Sequence, residues 1–194
     1  MSLRSVTAVA MAVAVAGCGI NSIPTAEEVV NARWADVQNN YQRRADLIPN
    51  LVATVKAAGA QEKSILVEVT QARAGANAIR VSPEELTDPN KLRQFERAQN
   101  NVSLSLQRMQ EAYPELKSQG NYTTLMSQLE GTENRIVIAR KDYNEAVQAY
   151  NTRIRTFPDA VGAKIFYGAK PKVPFQATSA NAEVAPTVNF GNGG

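Results

Sequence analysis

Cys18 is the single cysteine of the chain, and its thiol is the side chain whose surroundings most clearly specify a reaction. It closes the run Val15, Ala16, Gly17, Cys18, behind an apolar stretch that begins near Val6 and follows Arg4. A positive start, a short apolar core and small residues before a cysteine form the pattern of a removable export segment. The expected chemistry is lipidation: the thiol carries a diacylglycerol, the freed amine takes a further acyl chain, and several chains hold a protein stably on a bilayer. Two alternatives stay open, a signal peptide cut elsewhere and an uncleaved span, because residues 5–26 are free of charge over the ~20 positions a spanning helix needs. Each version puts the remainder outside the cytoplasm, since Arg4 holds the extreme N-terminus inside.

A second set of groups is Arg44 with the carboxylates Asp46, Glu130 and Glu133. Glu130 and Glu133 could form an acid and base pair, but carboxylates three apart recur on any helix surface, and acid-base work also needs a pocket and a shifted pKa. The chain has no histidine. With Cys18 assigned to the anchor, that excludes a Ser-His-Asp triad, a cysteine-histidine pair, a zinc site of nitrogen and sulfur ligands and a Glu-x-x-His di-iron bundle. The expectation is a protein that is not an enzyme and uses no cofactor or metal. A lone cysteine also leaves no internal disulfide, so stability must come from packing. The net charge of +3 is spread among acidic residues, without the dense basic block or interleaved aromatics of a nucleic-acid surface.

The elements that must position these groups read as helices from about Thr25 to Phe157. Thr25 and Glu28 have the spacing of a capping box. From there Trp34, Val37, Tyr41, Ile48, Leu51, Val55 and Ala58 follow steps of three and four, interrupted at Arg44; that is a packing stripe. Pro49 lies inside it and should kink the helix, because it lacks an amide and crowds the carbonyl four residues back. A second run carries Ile65, Val69, Ala72, Ala76 and Ile79, and then Pro83 and Pro89 break the helix and allow a reversal. The third holds Leu92, Phe95, Val102, Leu106, Met109 and Tyr113, with Gln99 at its one polar step, and stops at Pro114 and Gly120. In the fourth, Tyr122, Leu129, Ile136, Tyr143, Tyr150 and Phe157 recur every seventh residue, which imposes left-handed coiling. Thr132, Ala139 and Ala146 between them are small enough to admit a partner helix. At ~1.5 Å per residue this element is about 50 Å long, so the predicted fold class is all-α, an elongated antiparallel helical bundle.

Residues 41–52, YQRRADLIPNLV, resemble a signature of the LemA family, as do residues 129–136, LEGTENRI. ARKDYN at 139–144, followed by Tyr150-Asn151 and Phe157-Pro158, is similar in the same order. The resemblance covers residues 28–175. It implies a bacterial envelope protein of helical-bundle fold, anchored near its N-terminus with the bundle outside the cytoplasmic membrane and without an established enzymatic activity. The lipobox departs from the spanning helix of many members. Gly19 after the cysteine, rather than aspartate, resembles cargo sent to the outer membrane if the cell is Gram-negative; a single inner-membrane span is the alternative.

The resulting organisation is a signal peptide over residues 1–17, a tether over 18–24, the bundle over 25–175, and a tail over 176–194. Its Asn, Ala, Thr, Pro and Gly composition cannot bury a core and is expected to be disordered. A guanidinium in the core register between Tyr41 and Ile48 is costly unless paired and fully hydrogen-bonded. Asp46, Glu130 or Glu133 could supply the partner. Glu130 shares a face with Asn134, and Asn144 and Asn151 follow it at whole heptads, so helix four carries a polar stripe. That stripe reads either as a network fixing helix register or as a groove for a partner or ligand. The candidate binding residues are Arg43, Arg44, Asp46 and Asn50 in the first motif, Glu130, Glu133, Asn134 and Arg135 in the second, and Asn144 in the third. The leading functional expectation is a non-catalytic, membrane-anchored scaffold for an envelope protein partner. The alternative is a ligand-binding protein or enzyme built on Arg44, Glu130 and Glu133, and self-association through exposed heptads also stays open.

Overall fold

The stripes above become four main helices in the computed structural model, which describes residues 21–59 and 62–176. The segment expected to be a signal peptide, Cys18 and the expected tail from Ala177 onward lie outside these residues. Helix α1 spans Ser22–Ala57, α2 Lys63–Ala78, α3 Pro89–Ala112 and α4 Gly120–Arg153, followed by a short α5 at Asp159–Gly162. No strand occurs among the described residues. None of the described helices is long and apolar enough to cross a membrane.

The chain runs up and down. Arg153 of α4 donates to the Ser22 carbonyl at 3.1 Å and Glu133 of α4 meets Arg44 at 2.8 Å, so α1 and α4 are antiparallel. Likewise Arg108 of α3 meets Glu68 of α2 at 2.6 Å while the Tyr113 hydroxyl donates to the Glu62 carbonyl at 3.0 Å. The buried heptad positions of α3 and α4 are those predicted, from Leu92 to Met109 and from Tyr122 to Tyr150. They form two apolar clusters. One gathers Trp34, Tyr41, Phe95, Tyr143 and Phe175, and the other Ile48, Leu51, Val55, Val69, Val102, Met109 and Leu129. Between them lies a polar layer of Arg44, Gln99 and Thr132, all buried.

Three local expectations change. The first helix begins at Ser22 instead of Thr25, and Thr25 and Glu28 form no capping box; the Thr25 hydroxyl donates back to the Asn21 carbonyl at 2.8 Å. The cause is tertiary: the Ser22 hydroxyl donates to Asp159 Oδ2 at 2.7 Å and Ile23 is buried, which holds an extra turn in place. Pro24 is tolerated there because amides of the first turn have no helical acceptor. At the other end, Phe157 does not continue the stripe of α4. The helix ends at Arg153 and Phe157 is 85% exposed.

Helix α1 continues through Pro49 to Ala57. Pro49 has no N–H to give the Ala45 carbonyl, and that carbonyl instead accepts from Arg73 Nε of α2 at 2.7 Å. A helix flaw on α1 thus becomes a specific docking point for α2. Arg73→Ala is expected to cost about 1–3 kcal/mol, the penalty of an orphaned buried acceptor. In a Pro49→Ala background, where residue 49 regains its amide, the loss should shrink by more than half. A double-mutant cycle by urea unfolding checks this, and equal costs in both backgrounds would show that Pro49 and Arg73 act independently.

Just past the end of α1 stands Gly59 at φ 86°, a left-handed backbone that suits glycine. Helix α3 starts on Asp88, whose carboxylate accepts from the amides of Asn90 at 2.8 Å and Lys91 at 3.4 Å, with Pro89 in the first position. After α5 the chain takes one wide turn at Ala163–Tyr167 and passes Gly168, at φ 54°, into an extended strap over residues 169–176.

Candidate functional site

Arg44 lies in the middle of the bundle with 2% of its surface exposed. Its neighbours on α1 at the same register, Tyr41 and Ile48, face the core, so helical periodicity forces the guanidinium inward. Nη1 donates to Glu133 Oε1 at 2.8 Å and to Ser103 Oγ at 2.7 Å, and Nη2 donates to Gln99 Oε1 at 2.6 Å and to the Gln99 carbonyl at 3.0 Å. The cation also stands 5.0 Å from the centre of the Tyr41 ring. A buried charge is tolerable when paired and supplied with acceptors in this way. Burial raises the Tyr41 hydroxyl above its ordinary pKa, and Arg140 and Arg44 partly offset the rise.

Of the three carboxylates considered for Arg44, Glu133 is the partner. Asp46 is turned outward on α1 and accepts from Gln42 Nε2 at 2.7 Å. Glu130 is exposed on α4, one turn from Glu133. Both Glu130 and Glu133 border a groove of about 480 Å³ between α3 and α4, together with Leu106, Gln107, Leu129 and Asn134. Glu133 therefore touches the polar layer on one side and the groove on the other. Arg43 and Asn50 face outward with Asp46, and Arg135 faces outward on α4, so none of these four joins the Arg44 cluster.

Asn144 has a different part. Its side-chain amide donates to the Phe175 carbonyl at 3.1 Å and accepts from the Phe175 amide at 2.8 Å. One heptad on, Asn151 does the same with Lys172, at 2.8 Å in each direction. Two asparagines at heptad spacing thus bind the extended strap as a neighbouring β-strand would. The Tyr143 hydroxyl donates to the Val173 carbonyl at 2.9 Å, and burial pushes that phenol far above its usual range, keeping the donor protonated. Phe175 then enters the core, with its ring 5.8 Å from Trp34 and 5.2 Å from Tyr143. Lys172 is buried, bonded to the Pro83 carbonyl at 3.1 Å and paired with Glu27 at 2.8 Å. Gln176, placed in the tail by composition, still belongs to the strap: its carbonyl accepts from Arg140 at 3.2 Å.

The order and structural context of these motifs agree with a match of the LemA family profile to residues 33–190. This chain belongs to the LemA family. No curated protein matches it. In this LemA-family bundle, two partners of Arg44 were outside the candidate list. Gln99 had a signal: it is the one polar step of α3, as Arg44 is of α1, and two polar breaks in facing stripes tend to meet. Ser103 had none. The Glu96–Arg140 pair at 3.0 Å, with Arg140 4.6 Å from the Phe175 ring centre, was also unforeseen. Burial raises the Glu96 carboxyl above its usual pKa, against the pull of Arg140. Among the described residues no three Asp, Glu, His or Cys side chains converge as metal ligands.

Proposed function

We propose that this LemA-family protein is a non-catalytic scaffold of the cell envelope, tethered through Cys18 and offering the outer faces of its bundle to a protein partner. One observation carries the reading. The motif residues that turn inward, Arg44, Asn144 and Asn151, are bonded to the fold itself, whereas Arg43, Asp46, Asn50, Glu130, Asn134 and Arg135 of the same motifs face outward. Side chains spent on register and strap have no capacity left for chemistry, and the outward set forms a charged, hydrogen-bonding surface on rigid helices. Gly19 after the lipidated cysteine favours the outer membrane in a Gram-negative cell.

The test is crosslinked co-purification of the tagged full-length protein from intact cells, beside Cys18→Ala and Arg43→Glu/Arg135→Glu, with mass spectrometry of the captured proteins and of the N-terminus. The expected result is an acylated Cys18 and one defined partner lost in the surface variant. An unmodified Cys18 would overturn the tether, and a partner profile unchanged by the surface variant would overturn the docking face.

The second reading is a ligand site in the groove, favoured by Glu133 lying between Arg44 and that groove. It requires Glu130→Gln to abolish a cellular phenotype at unchanged thermal stability.

A further inference from the structure

At one end of the bundle the chain exposes an apolar set that the scaffold reading does not use. Helix α5 and the wide turn after it form one helical run whose inner side packs home: Ala163 is buried and Gly162 lies against Ile23. Its outer side is Val161, Ile165, Phe166 and Tyr167, with Phe157 just ahead; Ile165 is 68% and Phe166 65% exposed. Arg155, Lys164 and Lys170 flank this set and are exposed as well. Two acids nearby are already engaged, Asp159 by the Ser22 hydroxyl at 2.7 Å and by Arg153 at 3.6 Å, and Glu145, which borders the same cleft as Phe157, by Lys141 at 3.4 Å. Exposed apolar clusters rimmed by polar groups mark an interaction surface.

Where this surface sits names its occupant. Ser22 is bonded to Asp159, and Cys18 stands four positions before Ser22 in the sequence, so the anchor point is tied by a short length of chain to the exposed loop. Aromatic side chains with basic neighbours suit the headgroup boundary of a bilayer, where rings lie among acyl chains and cations meet lipid phosphates. We infer that residues 157–167 form a membrane-contact loop that inserts Phe157, Ile165 and Phe166 into the bilayer surface beside the N-terminal anchor. The inference rests on the membrane-tether reading above and adds to it the orientation of the bundle: α1 and α4 stand away from the lipid on a seated end, instead of swinging from a flexible leash.

A photo-crosslinking amino acid in place of Phe166, compared with the same group in place of Val137 on the mid-length of α4, tests this in the full-length protein within cell envelopes. Val137 is equally exposed, at 66%, but lies many helical turns from the loop. Phospholipid adducts at position 166 should exceed those at 137 at least tenfold, and Phe157→Glu/Ile165→Glu should remove most of that excess while circular dichroism stays unchanged. Lipid adducts at 166 on a protein whose Cys18 carries no lipid would uphold the loop and overturn the Cys18 tether. Acylated Cys18 with no phospholipid at 166 would overturn the loop and uphold the tether. Adducts at 166 with a second copy or another protein would also overturn the loop as a lipid contact.

Discussion

Arg44→Ala is expected to destabilise the bundle by about 3–5 kcal/mol, the combined cost of buried acceptors left unsatisfied and of the cavity where a fully buried side chain stood. Four acceptors on three residues lose their donor at once: Glu133, Ser103 and both the side chain and the carbonyl of Gln99. The cost comes more from what is left behind than from attraction lost, because Glu133 is still partly solvated and can turn towards the groove, while Gln99 cannot leave the core. A matched apolar layer separates the two contributions. Arg44→Leu combined with Gln99→Leu and Glu133→Gln should recover most of the stability lost in Arg44→Ala, since apolar replacements of buried ionic groups are often near neutral. Urea unfolding of the three proteins checks this. A loss below about 1 kcal/mol for Arg44→Ala, the scale of an exposed pair, would show that water enters the layer and that the guanidinium is not structural.

The paired change Asn144→Ala/Asn151→Ala should release the strap. Each asparagine satisfies one amide and one carbonyl of the strap, at Phe175 and Lys172, and each group left unsatisfied in a buried place costs about 1–3 kcal/mol. The strap can escape that penalty by peeling off into water, which caps the loss at the value of its packing, chiefly Phe175. Fully burying one such side chain is worth about 1.5–3 kcal/mol. The double variant should therefore lose about 2–4 kcal/mol. Its sharper sign is local. The amides of Lys172, Val173 and Phe175 should exchange with solvent far faster than those of α1 and α4, and limited trypsinolysis should cut after Lys172, since Pro171 protects the bond after Lys170. Protection at Val173 equal to that in the parent would mean that its bond to the Leu86 carbonyl, at 2.8 Å, holds the strap without the asparagines.

Periodicity made the helices and most of their buried faces legible, because Tyr122 to Tyr150 repeat every seventh residue and nothing in that segment competes with a helix. The same rule over-reached at Phe157. A heptad extrapolates as long as the residues fit, whereas α4 ends where Arg153 and Asp159 turn the chain towards Ser22. The capping box failed for a related reason: Thr25 and Glu28 satisfy a local pattern, but Ser22 and Ile23 gain more from partners at the far end of the chain. At Arg44 the core placement was readable from register alone. Choosing Glu133 from three carboxylates was not, since it depends on which face of α4 meets α1. The strap escaped the reading altogether. Asn144 and Asn151 at heptad spacing look like a coiled-coil register device, and only their placement beside an extended chain shows that they pair with backbone.

The strap also bears on when the protein can finish folding. Ile23, near the start of the described chain, and Phe175, near its end, belong to the same apolar cluster, with Trp34 and Tyr143 between them. For any chain that emerges N-terminus first, from a ribosome or through a translocation pore, that cluster stays incomplete until Phe175 is out. The half built on Ile48, Val69, Val102 and Leu129 closes earlier, and contacts of long sequence separation form last. A protein arranged in this way stays open at one end as it emerges and locks only when the strap with Phe175 arrives.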